Sequence, residues 1–304
     1  MWRTIIINQG ERITIQNGNL HVFSEEMESL VPLADIYAVV IDNRAALISV
    51  QTLAQLSELG AHVYYCNEKH VPVGVTVPLN PHFRPLAVLK KQFVLSQEMK
   101  DALWGRIVKA KIENQARCLR FAGVDKQRED VLLELAAAVT PGDIGGCEAI
   151  AAKKYFASLF GFGFVRRADD VTNAALNYGY TILRSSICKT LVAYGYNCVL
   201  GLHHCSEKNE FNLADDLMEP FRPIVDLWVD ENCENLFEEL TKSNRKGLIG
   251  LLNMAIMLDG KRMRVRNAMD ACVSSLTSAL EKGKPSLLKL PVLLPYGEMV
   301  DEDE

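Results

Sequence analysis

Short apolar runs separated by turn residues fill the first 77 positions. Residues 4–7 read TIII, and residues 12–16 and 19–23 read RITIQ and NLHVF on either side of Asn17-Gly18. Asn-Gly favours a type I′ turn, so the two runs predict a hairpin. IYAVVID at 36–42 reads as a buried strand, and 61–66 and 71–77 add two more. Between them Val50, Leu53, Leu56 and Leu59 recur at helical spacing after Ser49, which predicts a short helix. A sheet this small has exposed edges. Pairing with a second copy is one way to hide them, so a homodimer through residues 1–77 is expected.

Pro78, Pro81 and Pro85 make 78–85 the expected linker. Beyond it the period becomes helical. Leu86, Leu89, Phe93, Leu103, Ile107, Ala110, Ile112 and Leu119 recur with charges between them. Gly142, Gly145 and Gly146 punctuate the chain before Glu148, which should open a helix. Residues 170–191 predict another. Pro220 and Pro223 should end the acidic helix just after Glu219. Residues 233–280 predict two or more helices joined near Asp259-Gly260. The expected fold class is therefore α+β: a small N-terminal β-sandwich-like domain, then a larger all-α domain over 86–297 and an acidic tail, EMVDEDE, at 298–304.

Composition changes this picture little. A length of 304 residues fits two domains, and 49% hydrophobic with 23% charged residues is ordinary for a globular protein. No apolar run approaches membrane-spanning length, and the N-terminus lacks the long apolar core of a signal peptide. Eight scattered cysteines without a CxxC pair point to reduced thiols and a cytoplasmic location. Cys198, His203, His204 and Cys205 cluster, but their spacing matches no standard zinc module.

Charge matters more in its distribution than in its sum. The net charge is −5, and the tail alone holds five acidic groups. Segment 84–128 has eleven Lys/Arg against four Asp/Glu, and segment 241–266 has seven against one. Between them, 207–240 has eleven acidic groups against two basic ones. An acidic block flanked by basic ones suits a metal site facing phosphate.

Two blocks carry the candidate chemistry: GGCEAIAAKKYF at 145–156 and GLHHCSEKNEFNLADDLMEPFRP at 201–223. Glu148, His204, Asp216 and Glu219 form a hard, oxygen-rich donor set with one imidazole, suited to Mg²⁺ or Mn²⁺. Asp216 and Glu219 are three apart, so a helix would place both carboxylates on one face. Acidic residues at that spacing are most often only a solvated helix face. Other catalytic signatures are missing. There is no GxxxxGK[ST] loop and no GxSxG elbow, and GFGF at 161–164 lacks the third glycine of a dinucleotide fingerprint.

These blocks, in this order, resemble the CRISPR-associated spacer-acquisition integrases, the "Cas-one" endonuclease family, over roughly residues 1–280. EAIAAKKYF at 148–156, RRADDVTNAALNYGYTIL at 166–183 and GLHHCSEKNEFNLADDLMEPFRPIVD at 201–226 carry the resemblance. LWGRIVKAKIENQA at 103–116 is similar to members that accompany type II systems. The resemblance implies catalytic residues Glu148, His204, Asp216 and Glu219. Glu148, His204 and Glu219 would be the metal ligands, and Asp216 would hold a second ion or orient the ligands. The family's His follows Gly-x-x, which selects His204 over His203. The last ligand is Asp in many relatives and Glu here. Asp215 has no counterpart and is expected to be a solvated neighbour, and Tyr178 and Tyr180 are expected to pack in the core.

The implied reaction is metal-dependent transesterification that inserts DNA fragments into a CRISPR repeat, with endonuclease activity when water replaces the 3′-hydroxyl. Implied partners are double-stranded DNA, a second copy of the chain, a small "Cas-two" protein bridging two dimers, and the type II effector nuclease, with no membrane. Arg84, Arg166, Arg167, Arg245, Lys246, Arg262 and Arg264 are candidate phosphate contacts. A DNA-binding scaffold, or a metal-dependent nuclease acting on branched DNA, remains the alternative.

Overall fold

A computed structural model describes residues 3–8, 12–24, 27–68, 72–76 and 84–297. Most of the proline-rich linker and all of the acidic tail lie outside these residues. The chain divides into two compact units, Met1–Pro81 and His82–Glu304.

The first unit holds two four-stranded sheets. One runs β1 (Arg3–Ile7), β5 (Ile36–Ile41), β7 (His62–Cys66), β8 (Pro72–Thr76), parallel except for its last pair. The other runs β4 (Met27–Pro32), β3 (Asn19–Ser24), β2 (Arg12–Gln16), β6 (Leu47–Ile48). The expected hairpin is β2–β3, with Gln16 paired to Asn19. Asn17 and Gly18 both have positive φ, 49° and 75°, as a type I′ turn requires. Ser49 caps helix α1 (Val50–Glu58), its side chain accepting from the Thr52 amide at 3.1 Å. Ile7, Val39 and Val63 from one sheet share an apolar cluster with Ile13, Leu20 and Val31 from the other and with Leu56 from α1. Two strands of this unit escaped the sequence reading: β4, and the two-residue β6.

The second unit is mostly helical. Its helices are α2 (Pro85–Phe93), α3 (Gln97–Phe121), α4 (Lys126–Ala138), α5 (Cys147–Leu159), α6 (Val171–Ala193), α7 (Asn212–Met218), α8 (Arg222–Glu231), α9 (Lys242–Gly250) and α10 (Val265–Lys282). At 25 residues α3 extends about 37 Å. It buries Leu103, Trp104, Ile107, Val108, Ile112 and Leu119 against α4, α5 and α8. Tyr178 and Tyr180 on α6 are buried, as expected of aromatics at helical spacing. Among the described residues no helix is long and apolar enough to cross a membrane.

The α+β class holds, but the second unit is not purely helical. The joint at Asp259-Gly260 is a β-turn, not a helix junction. It links β9 (Ala255–Leu258) to β10 (Lys261–Arg264), and β11 (Pro291–Val292) pairs on the other side of β9. Asp259 and Gly260 have φ of 52° and 73°, the same turn chemistry as Asn17-Gly18. The run AIMLDGKRMR carries no strict alternation, which is why its strand character was missed.

Candidate active site

Each candidate side chain is placed by a helix terminus or a capped loop. Gly146, in the left-handed region at φ 64°, precedes α5. Asp143 accepts from the Cys147 and Glu148 amides at 3.0 and 2.9 Å, which fixes the helix start and sets Glu148 in its first turn. Glu219 follows the last residue of α7, in the single 3-10 turn Glu219–Phe221. The prolines do not end the helical path there. Pro223 lies in the first turn of α8, where its missing N–H costs nothing. Asn114 of α3 donates to the Pro220 carbonyl at 2.8 Å and pins this turn.

His204 lies on the loop before α7, and Asp216 organises that loop. The Asp216 carboxylate accepts from the amides of Leu202 (2.6 Å), His203 (3.1 Å) and His204 (3.1 Å). It also lies 2.7 Å from His204 Nδ1. With Nδ1 as donor, Nε2 carries the free lone pair. Asp216 is fully buried and spent on these contacts. Of the two roles open to it, the geometry supports orienting the histidine. Gly201 is required by the same fold of the loop: a Cβ there would collide with the His204 carbonyl and approach Asp216 Oδ2 to 2.9 Å.

Lys111 is the residue the sequence reading missed. It lies on the buried face of α3, and its ammonium pairs with Glu148 Oε1 and, at 2.5 Å, with Glu219 Oε2. Arg222 reaches Glu219 Oε1 at 3.1 Å. Glu219 is therefore deeply buried between two cations, whereas the Glu148 side chain keeps 34% of its surface exposed. Burial alone would raise the Glu219 pKa, but Arg222 and then Lys111 outweigh it and hold the carboxyl below its usual range. Burial would lower the Lys111 pKa, and attraction from Glu219 and Glu148 turns the net shift upward. The bond to Asp216 raises the His204 pKa against the effect of burial, with Asp216 and Glu219 adding attraction.

Trp104 lies seven residues before Lys111 on the same face of α3. Its ring stacks on His203 at 4.2 Å and meets His204 edge-on at 5.7 Å. A signal for both residues existed: an amphipathic aromatic and a lysine within the apolar stripe of LWGRIVKAK. Asp215 is not a solvated neighbour. It is buried, 2.6 Å from Arg184 Nε and 2.7 Å from Asn209 Nδ2.

Among the described residues no three His, Cys, Asp or Glu side chains are disposed to hold a metal ion as they stand. The donor chemistry nevertheless fits one. Two carboxylates already converge on a cation, and an imidazole with Nε2 free lies close enough for mutual attraction with Glu219. The zinc alternative does not form. Cys198 is buried 3.4 Å from Cys188, sulfur to sulfur, and His203 is stacked on Trp104.

The candidate phosphate contacts separate by environment. Arg84, Arg167, Lys246 and Arg262 are exposed, and Arg264 is half-buried before α10. Arg166 is tied to α6 through Asn173 (3.0 Å) and Asn177 (2.9 Å), its guanidinium over the Tyr180 ring. Arg245 is buried and donates to the Leu240 carbonyl at 2.6 Å, so it is a structural residue and not a phosphate contact.

These features define an acidic centre built around a buried cation, in a helical unit that follows a two-sheet β unit. The chain belongs to the family described as CRISPR associated protein Cas1, whose profile matches residues 4–239. It is 39% identical over 299 residues to the CRISPR-associated endonuclease Cas1 of Neisseria meningitidis, covering 98% of each chain. It is 28% identical over 248 residues to the CRISPR-associated endonuclease Cas1 2 of Pyrobaculum aerophilum, covering 77% of this chain and 84% of that one. The same fold occurs in a casposase bound to integration product, with a TM-score of 0.73 at 20% identity, covering 93% of this chain and 91% of that one. It also occurs in a Cas1 protein from Thermotoga maritima, with a TM-score of 0.70 at 15% identity, covering 93% and 98%.

Proposed function

We propose that this chain is the integrase of CRISPR adaptation. It joins the 3′-hydroxyl ends of a foreign DNA fragment to phosphodiesters of a CRISPR repeat, and cuts DNA when water takes the hydroxyl's place. The observation that carries this reading is the convergence of Glu148 and Glu219 on one cation, beside an imidazole whose Nδ1 is locked by Asp216. The neighbours add support. The Neisseria relative is named an endonuclease, and the casposase was captured with integration product.

Glu148, His204 through Nε2, and Glu219 would hold Mg²⁺ or Mn²⁺. The chemistry supplied by the bound ion is activation of the attacking hydroxyl and stabilisation of the leaving oxygen. The protein's own residues do the rest. Asp216 keeps His204 oriented and fixes the nitrogen that faces the site. Arg222 pairs with Glu219 Oε1 and keeps the carboxylate ionised. Exposed Arg84, Arg167, Lys246 and Arg262 supply positive charge for the DNA backbone. Proposed partners are duplex DNA, a second copy of the chain through the β unit, the type II effector nuclease, and a small Cas2 protein. A structural neighbour was solved as a Cas6-RT-Cas1–Cas2 complex.

A strand-transfer assay on a repeat-containing plasmid, with the Cas2 partner and Mn²⁺, tests the proposal. Wild-type chain should yield joined products, and Glu148→Gln none. Binding without joining or cutting would leave a scaffold. Cutting without joining would leave a nuclease of another kind.

A further inference from the structure

Lys111 is the feature of the site that the proposed chemistry does not use. Its ammonium is enclosed where the two carboxylates meet, and only 7% of its side chain is exposed. Lysine is rarely buried unless paired, and here the pair is a double one. Helix α3 brings it in from a third direction, on a buried face that also carries Ile107, Ile112 and Leu119. A divalent ion ligated by Glu148 and Glu219 would have to share those oxygens with a positive charge already bonded to them. In a poorly hydrated pocket that repulsion is strong.

Resting on the metal-site reading above, we propose that Lys111 is the resident counter-cation of the centre, a positioning residue. It holds Glu148 and Glu219 together while no metal is bound and competes with the metal for them. Without it the two carboxylates are held close with one fewer charge to balance them. The metal-free protein then loses stability, and a divalent ion gains affinity because it no longer displaces an existing partner.

The test measures Mn²⁺ binding by titration calorimetry and electron paramagnetic resonance on the full chain, alongside melting in chelator. Lys111→Met removes the charge and keeps the length, and Lys111→Arg keeps the charge. Lys111→Met is expected to bind Mn²⁺ at least about ten-fold tighter than wild type, to melt earlier in chelator, and to recover when Mn²⁺ is added. Lys111→Arg should bind no tighter than wild type. Folded Lys111→Met that binds Mn²⁺ equally or more weakly overturns the proposal. It would mean that the ammonium remains beside the ion and serves it. If Lys111→Met does not fold in chelator, refolding in Mn²⁺ decides. Recovery supports competition, and failure at saturating Mn²⁺ shows a role that a divalent ion cannot replace. Wild-type chain that binds no Mn²⁺ at millimolar concentration would sink the metal reading itself, and this inference with it.

Discussion

At the scale of single residues, Asp216 and Glu148 differ in what their loss exposes. Asp216 is fully buried and satisfies the amides of Leu202, His203 and His204 together with the His204 ring. Asp216→Ala leaves those donors without a partner, at a cost of about 3 kcal/mol or more. Glu148 is partly exposed, and Lys111 keeps Glu219 when it is gone, so Glu148→Ala should change stability by less than about 1 kcal/mol. Urea denaturation of the two variants checks this, and equal midpoints would contradict it. Glu219 belongs with Asp216 here. Its spacing from Asp216 is that of a solvated helix face, but its removal leaves Lys111 and Arg222 short of a buried partner. Residue type and spacing made Glu148, His204, Asp216 and Glu219 legible. Lys111 was legible only as a lysine in an apolar stripe, which gives no sign of which carboxylates it meets. Those lie 37 and 108 positions further along the chain.

At the scale of elements, the helical unit is tied together by a polar knot. Asp226 of α8 accepts from Tyr155 of α5 at 2.9 Å and from Tyr180 of α6. Burial pushes the Asp226 pKa up to about 6, against the hydrogen bonds and the Arg222 charge that favour ionisation. An acid that binds its proton more tightly when folded gives stability that grows as pH falls through 6 and is lost above it. Wild type should therefore gain on Asp226→Asn by about 2 kcal/mol between pH 7.5 and pH 4. Denaturation of both chains across that range measures the difference, and a constant gap would show that Asp226 does not titrate there. Helix periods and capping residues announced α1, α5 and α6. The knot was not legible, because Tyr155, Tyr180 and Asp226 each sit at ordinary helical positions and only packing brings them together. Strands β9 and β10 were missed for a different reason. Asp259-Gly260 is equally good punctuation between helices or strands, and tertiary pairing with β11 decides.

At the scale of the whole molecule, net charge and function point in opposite directions. The chain carries −5 overall, five acidic groups lie in its last seven residues, and eleven more lie between 207 and 240. Several of the latter are internal: Asp215, Asp216, Glu219 and Asp226 are buried. With those four acids internal, exposed cations such as Arg84, Arg167, Lys246 and Arg262 count for more at the surface of the helical unit than the sum suggests. Duplex DNA binding should weaken steeply as salt rises, because each phosphate contact releases counterions. Reversing one of these exposed charges, as in Lys246→Glu or Arg262→Glu, should lower the log–log salt slope by about 1. Arg245 is the internal control. Its guanidinium is buried on the Leu240 carbonyl, so Arg245→Gln should destabilise the fold and leave the slope of the remaining folded protein unchanged. Fluorescence anisotropy with a labelled duplex at several salt concentrations reads all three variants. A flat response in wild type would mean that these cations do not face DNA. A slope that falls for Arg245→Gln but not for Lys246→Glu or Arg262→Glu would reverse the assignment of which basic residues do.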